Sequence, residues 1–163
     1  MPFTEYIDKE QVITEETIEK VIVNSHEGIA IVGNDRKIEY VNDKVCLILG
    51  RTHEEILGHD FREFVHKESS VNVTNRFASR LGGESLPFEY EAIILNAHNE
   101  SRNVRIRTCV LSNWENKTKI LAQVLDITDE KKVRCALSEC KLMYQTLVQT
   151  MNEGLGIIDD KVF

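Results

Sequence analysis

The spacing of apolar residues changes period along the chain, and each change marks an expected element. The residues to about Gln11 are polar and predict a loosely held start. Thr14 then has the chemistry of a helix cap, with Glu15 and Glu16 behind it, where carboxylates favour the positive end of the helix dipole. Ile18, Val21, Ile22 and Ser25 fall at i, i+3, i+4 and i+7, the stripe of an amphipathic helix, and Gly28 offers it a place to stop. The pattern next turns strand-like: Gly28–Val32 and Ile38–Val41 are apolar runs around the turn Gly33-Asn34-Asp35-Arg36, which predicts a hairpin. Val45, Cys46, Ile48 and Leu49 predict a short helix closed by Gly50. Short helices are expected over Thr52–Leu57 and Phe61–His66, and a longer one over Ser69–Leu81 with Val71, Phe77 and Leu81 turned inward. Past Gly82-Gly83 the alternation has period two. Phe88, Tyr90, Ala92 and Ile94 interleave with Glu89 and Glu91, and Val104, Ile106, Thr108 and Val110 with Arg105 and Arg107. After a turn at Asn113–Lys117, Lys119–Ile127 forms the last expected strand. Two strands, a block of short helices and three more strands predict an α+β domain over roughly residues 24–128, its later part antiparallel sheet.

A helical period returns from Thr128 to about Met151. Val133, Leu137, Cys140, Tyr144 and Leu147 are spaced 4, 3, 4 and 3, which is heptad spacing. Two readings stay open for this stripe: a coiled-coil seam between two copies of the helix, which is favoured, or a face that packs on the chain's own domain. The chain also repeats itself. VIVNSHEGIAIV at 21–32 recurs as LVQTMNEGLGII at 147–158, with Glu27-Gly28 matched by Glu153-Gly154. The expected organisation is an N-terminal segment and helix (1–23), the α+β domain (24–128), a helical linker (129–151) and the start of a second, truncated copy (152–163), as in a piece of a tandem array.

Composition narrows the function classes. Twenty Lys and Arg stand against 27 Asp and Glu, a net charge of −7. A nucleic-acid module needs a basic face, so no nucleic-acid partner is expected, and attachment to an anionic membrane is disfavoured for the same reason. No apolar run approaches the roughly 20 residues of a membrane span. The first residues lack the basic and apolar stretches of a secretion signal, so a cytoplasmic location is expected. Cys46, Cys109, Cys135 and Cys140 show no CxxC spacing and lie in apolar patterns; they are expected as reduced structural thiols. His53, His59 and His66 are close in sequence but form no i, i+4 pair, so hydrogen-bonded or solvated histidines are expected rather than metal ligands. The chain carries no phosphate loop, nucleophile elbow or HExxH, and Glu89 and Glu91 read as a solvated strand face. No catalytic residue is assigned, and this stretch of chain is not read as an enzyme.

Three segments, EGIAIVGNDRKIEYVN, EEILGHDFREFV and LAQVLDITDEKKV, stand in an order and spacing that resembles the PAS family of sensor domains (S-box type) over roughly residues 18–130. The resemblance implies a five-stranded antiparallel sheet with short helices cradling a small cavity on one face. It also implies a multi-PAS signalling parent, a sensor histidine kinase first among the candidates. Ile31, Tyr40, Phe61, Phe64, Phe77, Leu81, Tyr90, Ile106 and Val124 are the residues that would line such a cavity, and the same residues read as simple core. Photoactive flavin members carry a reactive cysteine where Gly58-His59-Asp60-Phe61-Arg62 has Phe61. Haem members use a histidine of the long helix, and Lys67–Leu81 has none; cinnamoyl-type photoreceptors need a cysteine of the helical block, and residues 47–108 have none. None of these cofactors is supported, and the cofactor stays unknown.

Asp126-Ile127-Thr128 is similar to the DIT motif that closes many PAS cores. Thr128 can cap the helix that follows, with Asp129 and Glu130 in its first turn, and Asp126 could pair with Arg36 or Lys37 of the first hairpin. The resulting expectation is a homodimeric input domain with a possible small-molecule ligand and a kinase or other output domain elsewhere in the parent chain. Sheet movement would pass through Asp126, Ile127 and Thr128, braced by Arg36, to the linker helix. The rival expectation is a ligand-independent dimerisation or relay module of a diguanylate cyclase or transcription regulator.

Overall fold

The computed structural model describes residue 20 and residues 25–114 and 117–159. The expected first helix lies outside the described residues, apart from Lys20 and Ser25. The hairpin forms as β1 (Gly28–Gly33) and β2 (Ile38–Val41). Its turn closes with the Arg36 amide donating to the Gly33 carbonyl and holds Arg36 at φ 70°, in the left-handed region.

Asn42 fastens this hairpin to the first helix, α1 (Asp43–Leu49). Its buried side-chain oxygen accepts from the Val45 amide at 3.2 Å, as a helix cap, and from the Ile29 amide at 2.9 Å; its nitrogen donates to the Glu27 carbonyl at 3.2 Å. Gly28 serves the same seam. A Cβ there would lie 2.9 Å from Val45 Cγ2 and 3.1 Å from the Val124 carbonyl oxygen, so α1 can lie against β1 because that side chain is missing. Gly50, at φ 61°, ends α1 with its amide donating back into the last turn.

Two short elements follow, α2 (His53–Ile56) and a 3₁₀ turn (Phe61–Phe64). Each starts with a reciprocal capping box, Thr52 with Glu55 and Asp60 with Glu63. The longer helix α3 (Lys67–Leu81) begins two residues earlier than its apolar pattern indicates, capped by His66. Its buried residue is Val73, and Val71 is exposed, contrary to expectation. Residues two apart stand about 200° apart around a helix, so 71 and 73 cannot both face inward. Phe77, one turn on from Val73, is the partly buried companion.

β3 (Glu89–Leu95), β4 (Ser101–Trp114) and β5 (Lys117–Asp126) complete one sheet of order β2-β1-β5-β4-β3, antiparallel throughout. The α+β class and the five-stranded antiparallel sheet are as expected. Phe88 falls just before β3 and is exposed. The register sets Gly28, Val124, Ile106 and Tyr90 in one cross-strand row and Ala30, Ala122 and Thr108 in the next. These rows face the helices. On the opposite side of β3 and β4, Glu89 meets Arg107 at 2.6 Å and Glu91 meets Arg105 at 3.6 Å, so the solvated acid face is a cross-strand ion-pair ladder.

The last helix, α4 (Thr128–Asp159), forms a unit of its own from Ile127 onward. The Lys131 amide donates to the Ile127 carbonyl, so Thr128 is the first helical residue and Ile127 the one before it. Val133, Leu137, Cys140, Tyr144 and Leu147 are all exposed. The helix runs on through residues 152–159, where the internal repeat leads one to expect a strand. A strand completes its hydrogen bonds only against a neighbour, whereas a helix completes them within itself, and the helical backbone of these residues follows that course. Among the described residues, no helix is long and apolar enough to cross a membrane.

Candidate ligand-binding site

A cavity of about 120 Å³ lies between the inner face of the sheet and the helical block. Its origin is the row Ala30–Ala122–Thr108, three small side chains abreast on neighbouring strands. Larger residues at these positions would reach the helices. Opposite them, Phe61 and Phe77 meet at 5.0 Å between ring centres with their planes inclined by 47°, and form part of the roof. Of the expected lining, Phe61, Phe64, Phe77, Tyr90, Ile106 and Val124 are brought together there. Ile31, Tyr40 and Leu81 are not among the lining residues. Ile31 and Tyr40 pair with each other across β1 and β2 on the sheet's other face, and their neighbours Ala30, Val32 and Ile38 line the cavity instead. The run Gly28–Val32 is apolar at every position, so its sequence holds no clue to which residues face inward.

Four residues give the cavity its polar groups: Arg76, Arg80, Tyr90 and Thr108. Arg76 and Arg80 stand one turn apart on α3. Arg80 Nη2 donates to the Pro87 carbonyl at 2.6 Å, and Arg76 Nε donates to Asn72 Oδ1 at 3.2 Å. The Arg76 guanidinium carbon lies 4.6 Å from the centre of the Tyr90 ring, a cation–π contact. Burial pushes the Tyr90 hydroxyl above its usual pKa range, and the two guanidinium charges act against that shift. Arg80 Nε and Thr108 Oγ1 are buried without a hydrogen-bond partner. Sequence reasoning missed both arginines, because a cation on an amphipathic helix reads as solvent-facing. The signal available was their i, i+4 spacing on the helix that covers the sheet.

The expected coupling residues separate. Asp126, at the end of β5, lies 3.6 Å from Arg102. Arg36 pairs at 3.4 Å with Asp60 and belongs to the hairpin turn, so the expected Asp126–Arg36 contact is corrected. β1 and β5 are antiparallel, which puts the turn end of β1 at Lys119, seven residues from Asp126. Lys37 bridges Asp60 as well. Ile127 and Thr128 are buried.

The histidines take local partners. His53 lies 3.4 Å from Asp43, His59 lies 3.1 Å from Glu63, and His66 caps α3. Among the described residues, no three His, Cys, Asp or Glu side chains come together as a metal site. All four cysteines are free thiols, but Cys109, Cys135 and Cys140 are exposed rather than packed inside, and Cys46 is half-buried with its thiol pKa raised by burial.

A family model for the PAS domain matches residues 26–129. The chain is also similar to solved structures, at identities that speak for the fold alone. One is the PAS domain of an HTR-like protein from Haloarcula marismortui (24% identity, 69% of this chain, 90% of that one, TM-score 0.58). Another is a domain of a sensory box sensor histidine kinase/response regulator from Geobacter sulfurreducens (22%, 68%, 92%, 0.58). A third is a sensory box histidine kinase/response regulator from Burkholderia thailandensis (15%, 79%, 98%, 0.58). No curated protein matches the sequence.

Proposed function

Because the chain belongs to the PAS domain family, a family of sensory modules, we propose that it is the cytoplasmic input domain of a multi-domain sensor histidine kinase, working as a homodimer. The observation that carries this reading is the apolar cavity under the sheet, which at about 120 Å³ is small but has the lining of a small-molecule site, hydrocarbon and aromatic with a few polar groups. Occupancy of the cavity would bias the position of the sheet, and β5 continues through Asp126, Ile127 and Thr128 into α4. Asp126, held by Arg102, steadies the strand end from which that helix departs. Similarity to domains of two sensor kinases supports this choice of output. The exposed stripe of α4 favours a second reading, a ligand-independent dimerisation or relay module in a diguanylate cyclase or transcription regulator.

Native and denaturing mass spectra of the purified chain, with its visible absorption, separate the two. A mass excess that disappears on denaturation supports the sensory reading and gives the ligand's mass. Bare-chain masses, together with no binding of added small molecules, would leave the relay module. Asp126→Ala tests the relay itself. Kinase output of the parent chain should stop responding to stimulus while thermal stability stays near that of the unchanged protein, and parallel loss of both would defeat the relay.

A further inference from the structure

The chemistry of the cavity's occupant is written in its polar groups. The floor and roof are hydrocarbon and aromatic, and the exceptions are Arg76 and Arg80 on α3, Tyr90 on β3 and Thr108 on β4. Arg76 and Arg80 have carbonyl and amide oxygens, a ring face and no carboxylate as partners among the described residues. Two guanidinium groups beside an apolar cavity with no counter-charge favour an anion. Arg80 Nε and Thr108 Oγ1 are buried lining groups with hydrogen-bonding capacity unused, a state that costs free energy unless something completes it. Both can donate, and a carboxylate has two oxygens to accept.

The remaining space limits the size and the polarity. An apolar cavity of about 150 Å³ takes one benzene, so about 120 Å³ has room for an apolar tail of about six carbons with its head group at the polar edge. A phosphate ester or a dicarboxylate would press further charged oxygens against Phe61, Phe64 and Ile106, which cannot solvate them.

We propose that the cavity binds a small monocarboxylate with an apolar tail, a medium-chain or aryl carboxylic acid, whose carboxylate is held by Arg76, Arg80 and Thr108. The proposal rests on the reading of this cavity as a sensory site and specifies what that site recognises. A simple structural role for the arginines, tying α3 to the Leu86-Pro87 carbonyls, accounts for the Nη contacts but leaves Arg80 Nε and Thr108 Oγ1 unexplained.

The test is titration calorimetry of the chain with sodium octanoate and with 1-octanol, which shares the tail and lacks the charge. Octanoate should bind at least about tenfold more tightly than octanol. Arg80→Met should abolish that advantage and Thr108→Val should reduce it, while octanol affinity stays unchanged in both and so reports an intact cavity. If Arg80→Met fails to fold, Arg76→Gln carries the same comparison. Equal affinity for the two probes, or an octanoate advantage that survives loss of the arginines, would overturn the carboxylate site and leave an apolar sensory cavity standing. If neither probe binds, the cavity reading and the carboxylate reading fall together.

Discussion

Helices α3 and α4 reverse the relation expected between pattern and burial. α3 has 15 residues, four of them charged, and its sparse apolar positions Val73 and Phe77 are enough to roof a cavity. α4 has 32 residues and a denser apolar stripe, yet every side chain described from residue 132 to 153 is exposed. Amphipathicity therefore tells which face of a helix is to be covered and not what covers it. On α3 the cover is the sheet, tied to it by the Ile93 amide donating to Ser69 Oγ at 2.9 Å. On α4 the stripe is of the kind that marks an interaction surface, and the homodimer proposed above would use it as its seam.

The largest effect should come from α4. Leu137 and Leu147 are 70% and 54% exposed, and covering such a side chain is worth about 1.5–3 kcal/mol. Leu137→Glu with Leu147→Glu should raise the dimer dissociation constant by two orders of magnitude or more, on the order of the burial lost from both copies. Sedimentation velocity over a concentration series reads this directly. The unfolding of the sheet domain should stay where it was, and a variant that sediments like the parent would remove the seam.

Asn42→Ala should do the reverse, weakening the sheet domain and sparing association. It leaves the buried Ile29 amide without this acceptor and the Glu27 carbonyl without this donor, and it removes one of the two acceptors of the Val45 amide, which keeps the Asn42 carbonyl at 3.1 Å. The expected loss is about 2–4 kcal/mol in urea unfolding. Asn42→Asp keeps both accepted bonds and should lose less. If Asn42→Ala instead shifts the sedimentation profile at unchanged stability, the two regions are not independent in the way their burial indicates.

The order of elements and the antiparallel sheet were legible because the change from helical to alternating spacing is strong at Gly83 and at Thr128. Facing was legible only where polar residues break the run: Ala92 and Ile94 are buried as Glu89 and Glu91 foretell, but nothing within Gly28–Val32 distinguishes Ala30 from Ile31. The partner of Asp126 was hidden for a different reason. It depends on which strands are neighbours, and the central pairing of β1 with β5 joins the first and last strands of the domain. The cavity's arginines were hidden because their role depends on the unused bonding of Thr108, which is 28 residues beyond Arg80 in sequence and on a strand rather than on their helix. Local spacing carries elements well and carries long-range pairing hardly at all.

The smallest effect concerns charge, and it separates the two regions again. Asp60 clips the helical block to the hairpin: its carboxylate meets Arg62 at 2.7 Å and Arg36 at 3.4 Å, and its backbone bridges Lys37. The Arg62 hydrogen bond first, with Arg36 adding charge, holds the Asp60 carboxyl below the usual carboxylate range against the opposing effect of burial. A carboxyl that is more acidic in the folded chain contributes stability above its unfolded pKa of about 3.9 and loses it as pH falls through the folded value. Asp60→Asn keeps the cap on Arg62 and removes the charge. Its stability deficit in urea should hold steady from about pH 7 to pH 5 and close below about pH 4. A deficit as large at pH 3 as at pH 7 would show that shape, not charge, is what the position supplies. The Glu130–Arg134 pair on α4 is as short, 2.7 Å, but it lies exposed within one helix. Arg134→Gln should therefore leave the unfolding curve of the sheet domain unmoved at every pH, because the value of an ion pair follows from what it ties together rather than from its length.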